Sequence, residues 1–375
     1  MPVAATVREV GGENAAAPLV APRFYIPQLD GLRFCAFLGV FISHAMYAIA
    51  ELPTGGVHWH HAGWWGQSAL LAGALGVVLF FALSSYLITS LLVREWDTTG
   101  RIDVPAFWMR RILRIWPLYF GFLLVYVAVG GLTVPVFAAL SIFAGNWAEI
   151  VWRVDTGLAH PLWSVSVEEQ FYLTWPLLLA ALPRRFLRHT AIGLVVTGVA
   201  VRYALFANGA SITSVWLNTF SHLDAIGIGA LIALGPQIHL APAVRAALGG
   251  ASAFALVACA GVAWFEFVQS TAIYPRAGAA TLTLLGVAVA CGGFLLASLA
   301  GSTWLSRPGI AYLGRISYGL YVFHSTAVWL VGDWWWAYRL PAAFALTVAF
   351  AAVSYRFFER PFLRMKARFT YVRSE

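Results

Sequence analysis

The chain has 375 residues, of which 61% are hydrophobic and 11% charged, and its mean hydropathy is +0.77. Soluble domains carry about 25% charged residues, so this composition excludes an ordinary soluble domain. Apolar runs near the ~20 residues that a bilayer demands recur along the chain and predict an all-α polytopic membrane protein. The net charge of +8 is assigned to cytoplasmic anchoring loops and a site for an anionic cofactor, and no nucleic-acid partner is expected.

Ten membrane spans are predicted, with both termini in the cytoplasm. Residues 1–24 are rich in Ala, Pro and Gly and are predicted to form a disordered arm. They lack the pattern of a cleaved signal peptide, so the first span is expected to act as an uncleaved anchor. The spans fall at about 29–50, 68–92, 115–131, 163–182, 190–207, 216–235, 247–267, 277–299, 312–332 and 340–358.

The distribution of arginines decides the number of spans, because cytoplasmic loops are enriched in Lys and Arg. The basic clusters at 94–114 and 184–188 lie on the same side as the C-terminal tail only if residues 134–147 do not cross the bilayer. That apolar stretch is therefore predicted to be interfacial or re-entrant. We expect a multi-pass protein of the cytoplasmic (inner) membrane. Its predicted parts are a disordered arm, a transmembrane domain and a basic cytoplasmic tail, at 1–24, 25–360 and 361–375.

The first apolar helix, LDGLRFCAFLGVFISH, carries a cation near its start and an imidazole near its end. Arg33 and His44 are about three helical turns apart, so they lie on nearly the same face, roughly 16 Å from each other. Ionisable groups inside a membrane are costly and indicate a functional site that faces the protein interior or a water-filled cavity. A snorkelling arginine and a core histidine bonded to backbone are the plainer alternative.

Two later segments carry further ionisable side chains. In FWMRRILRIWPLY, Arg111 and Arg114 share a helix face and either bind phosphate bidentately or serve only as cytoplasmic anchors. In HPLWSVSVEEQFYLTWP, Glu168 lies within an apolar span. Such a carboxylate pairs with an arginine of another helix or orients a catalytic imidazole.

Three other observations restrict the possible functions. The segment SYGLYVFHS places Tyr318, Tyr321 and His324 on one helical stripe. The histidines at 58–61 suggest a metal, but no Cys and only Glu51 is nearby, so no bound metal is expected. No convincing internal repeat is found, which argues against a transporter. No P-loop and no G-x-G-x-x-G motif that opens a helix is present.

The motifs, taken in chain order, resemble those of the membrane acyltransferase-3 family over about residues 25–365. They are LDGLR…SHA, FFALSSYLIT, RRILRIWPLY, HPLWSVSVEEQFYL, HLDAIGIGALIA, ISYGLYVFH and SYRFFERPFL. The resemblance implies ten or so transmembrane helices and transfer of an acyl group, often acetyl, from cytoplasmic acyl-CoA to hydroxyls of sugars and related acceptors. It also implies that the family's Arg/His pair, paired arginines and essential acidic segment correspond to Arg33 and His44, Arg111 and Arg114, and Glu168.

The chain departs from the family pattern in two places. Ser85 stands where the family usually has Gly, and His222 stands where many members have Arg. Many bacterial relatives carry an SGNH hydrolase-like domain after the membrane part. Only about seventeen residues follow the last predicted span, so that domain is expected to be absent here.

The resulting hypothesis is an O-acyltransferase with acyl-CoA as donor substrate and no permanently bound cofactor. The expected partners are the donor, a carbohydrate or glycosylated acceptor, and the bilayer; oligomeric state is left open. His44 is expected to act as general base or as acyl carrier, and the alternative function is a transporter or flippase of a lipid-linked sugar. The expected catalytic residues are His44, Glu168 and Arg33, the donor-binding residues Arg33, Arg111 and Arg114, and the acceptor-binding residues His160, Trp163, Ser166, Tyr318 and His324.

Overall fold

A computed structural model of the chain describes residues 25–50, 63–235, 241–244, 246–255, 276–299, 303–332 and 336–369. Every regular element in these ranges is helical, and no strand occurs in them, which confirms the all-α class. The predicted arm at 1–24, the histidine loop at 58–61 and most of the predicted span at 247–267 lie outside these ranges.

Among the described residues, six helices are long and apolar enough to cross a membrane. The multi-pass architecture is thus confirmed, while the count of ten and the side of the termini stay predictions. We label the helices α1 (Pro27–Ala50), α2 (Gly63–Thr99), α3 (Val104–Ala128), α4 (Val134–Ser141), α5 (Gly145–Trp152), α6 (Leu162–Ala181), α7 (Arg184–Ala207), α8 (Ile212–Leu217), α9 (Leu223–Leu234), α10 (Ala277–Leu299), α11 (Pro308–Arg315), α12 (Ser317–Val331) and α13 (Trp336–Ser354). The six candidate spans lie in α1, α2, α3, α7, α10 and α13 with its extension to Lys366.

The stretch at 134–147, which is predicted not to cross the bilayer, forms α4 and the start of α5. Each of these helices has 8 residues and is about 12 Å long, too short to cross a ~30 Å hydrocarbon core. Two predicted spans are more divided than expected. The predicted span at 216–235 is broken between α8 and α9, because the Asn218 side chain accepts a hydrogen bond from the Phe220 amide at 2.9 Å and starts a separate 3-10 turn. The predicted span at 312–332 is divided at Ile316 between α11 and α12.

Helix α3 begins eleven residues before the predicted third span at 115–131. Asp103 caps the helix by accepting a hydrogen bond from the Ala106 amide at 3.0 Å, and Pro105 occupies the first turn, where it is well tolerated. The helix continues through Pro117 to Ala128. The paired arginines therefore belong to a membrane helix and not to a loop, which lets them face the inside of the bundle.

Helix α1 lies at the centre of the bundle and packs against α2, α10, α11 and α12. Its contact with α2 is close because glycine faces backbone on both helices. A Cβ at Gly39 would lie 2.4 Å from the Ala72 carbonyl oxygen, and one at Gly76 would lie 2.3 Å from the Ala36 carbonyl oxygen. Small residues permit such helix contacts in membranes. The packing holds α1 in a defined rotation and so determines which neighbours its polar residues meet.

A buried ion pair joins α7 to α9. The Arg202 guanidinium donates to both carboxylate oxygens of Asp224 at 2.9 Å and also to the Ser221 carbonyl. The two side chains are 4% and 1% exposed. The sequence analysis did not predict this pair, because residue spacing along the chain does not show which faces of α7 and α9 pack together.

Replacing Asp224 with asparagine should destabilise the fold strongly, because it leaves the Arg202 charge buried without a counter-ion. Breaking one side of a buried pair costs about 3–5 kcal/mol. The measurement is the thermal unfolding midpoint in detergent. The control is Asp97→Asn, which breaks the exposed Asp97–Arg184 pair and should change the midpoint little. Equal shifts in the two variants would contradict the structural role of the buried pair.

Candidate active site

Arginines from three helices meet at the end of the bundle where α1 begins. Arg33, Arg111, Arg114 and Arg315 line a cavity of about 70 Å³, which we call the arginine chamber. Arg33 donates a hydrogen bond to Asp30 at 3.1 Å, so its guanidinium is held in place from within α1. The predicted juxtaposition of Arg33 with the α3 arginines is therefore present in the structure.

A second cavity of about 90 Å³ lies deeper, and we call it the inner chamber. It shares three arginines with the arginine chamber, so the two cavities adjoin. Its other polar lining comes from α2, α6 and α12. The polar side chains around it are Arg33, Arg111, Arg114, Ser84, Ser164, Glu168, Tyr172, Ser317, Tyr318 and Tyr321.

Arg111 is held between two aromatic rings at the boundary of the chambers. Its guanidinium carbon lies 5.4 Å from the centre of the Phe107 ring and 5.5 Å from that of Tyr172. Such stacking stabilises a cation without using its hydrogen-bond donors. Arg111 Nε is buried and has no hydrogen-bond partner. The side chain is thus positioned as a donor to an anionic or strongly polar ligand.

Glu168 belongs to a short hydrogen-bonded chain on one wall of the inner chamber. The Tyr172 hydroxyl donates to Glu168 at 2.9 Å, and the Ser84 hydroxyl bonds to the same Tyr172 oxygen. The sequence hypothesis had Glu168 orienting His44 or a guanidinium. In the structure its carboxylate accepts a hydrogen bond from Tyr172, which lies one turn further along the same face of α6, and it lines the inner chamber together with Arg33, Arg111 and Arg114.

The imidazole rings of His44 and His324 face each other across α1 and α12. His44 Nδ1 is 2.7 Å from His324 Nε2, and the rings are nearly parallel, with centres 5.0 Å apart. His324 Nδ1 lies 2.6 Å from the Tyr321 carbonyl oxygen. His324 is fully buried, whereas His44 is partly accessible.

These contacts determine where the protons lie in the neutral pair. A carbonyl oxygen only accepts, so His324 Nδ1 carries a proton and donates it to Tyr321. A neutral imidazole has one donor and one acceptor nitrogen, so His324 Nε2 accepts a hydrogen bond from His44 Nδ1. The remaining nitrogen, His44 Nε2, therefore carries the unprotonated lone pair. This atom can take a proton or attack a carbonyl.

Tyr321 connects the histidine pair to the inner chamber. Its side chain lines that chamber, where its hydroxyl is 2.6 Å from the Ser164 hydroxyl and donates to the Pro161 carbonyl at 3.0 Å. Its backbone carbonyl orients His324. His44 does not line either chamber; His324 and Tyr321 connect it to the inner one.

The predicted acceptor-binding residues lie at different places in the structure and do not form one site. Tyr318 lines the inner chamber and donates to the Ile115 carbonyl at 3.0 Å. Trp163 and Ser166 are buried away from both chambers, where Trp163 packs on the Phe81 and His222 rings and Ser166 donates to a backbone carbonyl of its own helix. His160 is half-exposed in the loop before α6 and lies 2.8 Å from Glu149.

Two chamber residues were missed from the sequence. Small polar residues in an apolar helix, such as Ser84 and Ser85, are explained by default by close helix packing. That explanation holds for Ser85, which donates to the Ile226 carbonyl at 2.7 Å, but Ser84 faces the inner chamber one residue earlier. Arg315 was not singled out, although a cation three residues before the polar stripe of α12 was a usable signal.

Comparison with known proteins identifies the family. The Acyl_transf_3 model, described as an acyltransferase domain, matches residues 26–358. The chain is 29% identical to "Putative O-acetyltransferase SACOL0978" of Staphylococcus aureus (strain COL), over 90% of this chain and 57% of that protein. It is also 29% identical to the O-acetyltransferase OatA of S. aureus (strain NCTC 8325 / PS 47), over 92% of this chain and 58% of that protein.

The chain thus spans somewhat more than half the length of these relatives. No solved structure matches it. The family model covers nearly all of the helical bundle, including both chambers and the histidine pair, and the chain belongs to the acyltransferase-3 domain family.

Proposed function

We propose that this protein is an integral membrane O-acyltransferase that moves an acyl group, in the first instance acetyl, from acyl-CoA to a hydroxyl of a carbohydrate or glycosylated acceptor. The observation that carries the proposal is the row formed by the arginine chamber, the inner chamber and the His44–His324 pair. The O-acetyltransferase names of the relatives support the same chemistry. We place the protein in the cytoplasmic membrane, with the arginine chamber toward the cytoplasm.

The sizes of the chambers restrict how the donor binds. Sites for drug-sized ligands enclose about 300–1,000 Å³. Cavities of about 70 and 90 Å³ are too small for a nucleotide but admit a thin chain. The donor's phosphates therefore meet Arg33, Arg111 and Arg114, and only its pantetheine arm with the thioester passes inward. Guanidinium groups suit phosphates because they donate two parallel hydrogen bonds.

In the proposed reaction, His44 Nε2 removes the proton of the acceptor hydroxyl as its oxygen attacks the thioester carbonyl. The carbon–sulfur bond then breaks, and the CoA thiolate takes the proton back from His44. The products are an ester and free CoA, and the histidine ends as it began. His324 holds the ring of His44 with Nε2 unprotonated, the task that a carboxylate performs in a hydrolase triad.

His324 is proposed as a positioning residue, and its replacement should affect turnover more than donor binding. His324→Phe removes the acceptor for His44 Nδ1–H, so kcat should fall about 10–100-fold, as for partners that orient a reacting group, while KM for acetyl-CoA changes less than twofold. His324→Gln keeps an acceptor oxygen and should recover part of kcat. Loss of donor affinity in both variants, without rescue by Gln, would assign His324 to packing.

The proposed activity can be tested without knowing the acceptor. Glycans and glycosylated lipids from cells that express the wild-type protein, the His44→Ala variant or neither are compared by mass spectrometry. We expect acetyl increments only with the wild-type protein. A transporter or flippase would alter the amount of surface glycan without acetyl increments, and that result would reject the acyltransferase proposal.

A further inference from the structure

A cationic groove lies beside the arginine chamber, between α11 and the extension of α13. It encloses about 420 Å³. Tyr312, Arg315, Tyr355, Arg356 and Arg360 form its polar wall, and we call it the Arg/Tyr groove. Arg315 and Tyr355 also line the arginine chamber, so the groove and the chamber are continuous.

A π-helical turn shapes the groove. Tyr355–Glu359 form this turn between α13 and the helix Arg360–Lys366. Such turns are rare and occur frequently at functional sites. Glu359 is directed inward, where it accepts a hydrogen bond from Ser354 at 3.0 Å. Arg356 and Arg360 remain exposed on either side of it, so the only carboxylate of this turn is withdrawn from the groove.

The groove is complementary to a ligand with several negative charges and a flat ring. Arg315, Arg356 and Arg360 form no ion pair within the part of the chain that the structure describes. Unpaired guanidiniums bind phosphate groups in a bidentate manner. Tyr312 and Tyr355 add aromatic surface of the kind on which nucleic-acid bases stack.

The volumes of the groove and of the two chambers indicate which part of such a ligand the groove can hold. The two chambers are too narrow for a nucleotide, whereas about 420 Å³ lies within the range of sites that hold drug-sized ligands. Resting on the function proposed above, we propose that the Arg/Tyr groove binds the phosphorylated adenosine end of the acyl donor. The 3′-phosphate lies at Arg356 and Arg360, and Arg315 is shared with the diphosphate in the arginine chamber.

The test compares ligands that differ only at the nucleotide end. Protein in nanodiscs of zwitterionic lipid is titrated by calorimetry with CoA and with dephospho-CoA, which lacks the 3′-phosphate. We expect the wild-type protein to bind CoA about tenfold more tightly, as suits the loss of a charge-assisted contact. In the double variant Arg356→Gln, Arg360→Gln, this preference should disappear. Arg364→Gln, an exposed arginine of the same helix outside the groove, is the matched control and should keep it.

A second arm separates the groove from the proposed reaction. Release of the free thiol, which is CoA from acetyl-CoA and pantetheine from S-acetylpantetheine, is followed with each donor; the second donor has no nucleotide. The double variant should raise KM about tenfold for acetyl-CoA and leave S-acetylpantetheine unaffected. An equal loss with both donors, or a preference for CoA that survives in the double variant, would overturn the inference. An effect that requires added phosphatidylglycerol would also overturn it, by assigning the groove to an anionic lipid.

The two proposals fail in different ways. If the wild-type protein releases no free thiol from either donor but still distinguishes CoA from dephospho-CoA through Arg356 and Arg360, the groove assignment holds and the acyltransferase proposal fails. If CoA is released from acetyl-CoA but the protein binds CoA and dephospho-CoA equally well, the acyltransferase proposal holds and the groove assignment fails.

Discussion

Replacing His44 with alanine is expected to abolish acyl transfer while donor binding survives. General bases contribute about 10²–10⁴ to rate, and His44 Nε2 is the atom to which we assign that role. We therefore expect CoA release by the purified variant to fall by about 10³ or more. The affinity for CoA, measured by calorimetry, should stay within twofold, because the arginines that meet the phosphates are untouched.

The matched control is His189→Ala. His189 is an exposed histidine on α7 whose ring lies near the backbone carbonyl of Arg185 and the Phe186 ring, and it lines neither chamber. It should retain full turnover. Residual turnover of the His44→Ala variant near the wild-type rate would remove His44 from the mechanism. An acylated wild-type protein that accumulates before acceptor is added would instead identify His44 as an acyl carrier.

Replacing Arg111 with glutamine should weaken donor binding, with a smaller effect on turnover at saturation. The ring stacking of Arg111 leaves its donors for a ligand, and hydrogen bonds to charged groups are worth about 1.5–3 kcal/mol. The expected rise in Kd for CoA is therefore about 10–100-fold. Arg114→Gln should act in the same direction. Arg111→Lys should recover little, because a lysine does not provide the planar fork.

Arg185→Gln serves as the control for charge alone. Arg185 is exposed on α7, where it stacks on the neighbouring Phe186 ring, and it lines neither chamber. Its loss reduces the net positive charge by the same amount and should leave the affinity for CoA unchanged. Equal effects of Arg185→Gln and Arg111→Gln would mean that the α3 arginines act through anchoring or overall charge.

Local periodicity was sufficient to predict the parts of the site that lie on one helix. Ser164, Glu168 and Tyr172 are four residues apart and line the same wall of the inner chamber. Arg111 and Arg114 face the same cavity, as their spacing on α3 required. The face of α1 that carries Arg33 and His44 also meets polar groups of other helices.

Contacts between distant helices were not predictable in the same way. His44 and His324 are 280 residues apart, and their pairing depends on how α12 packs against α1. The sequence analysis gives Glu168 as the group that could orient a catalytic imidazole and does not pair His44 with His324. Trp163 and Ser166 are predicted to bind the acceptor, but α6 directs both side chains into packed surroundings.

The predicted span boundaries differ from the observed helix ends where a single capping residue, and not the hydropathy of the segment, determines where a helix begins. Asp103 starts α3 a full three turns before the apolar run begins, and Asn218 interrupts a continuous apolar stretch. Windowed hydropathy averages over such residues. A short polar side chain that bonds to the backbone is enough to begin or break a helix.

The central claim is that the thioester end of the donor enters the inner chamber past the arginines. It is tested most directly by Ser164→Cys in a chain whose three native cysteines are replaced by alanine. Bromoacetyl-CoA, whose reactive end is little larger than an acetyl thioester, should alkylate this cysteine with loss of bromide, detected by intact-protein mass spectrometry. Thr174→Cys, on the exposed face of the same helix, is the control. We predict that the cysteine at position 164 is labelled and the one at 174 is not. Added acetyl-CoA should prevent this labelling, and the Arg111→Gln substitution should reduce it. Labelling at 174 alone, or labelling at 164 that acetyl-CoA does not prevent, would contradict the claim.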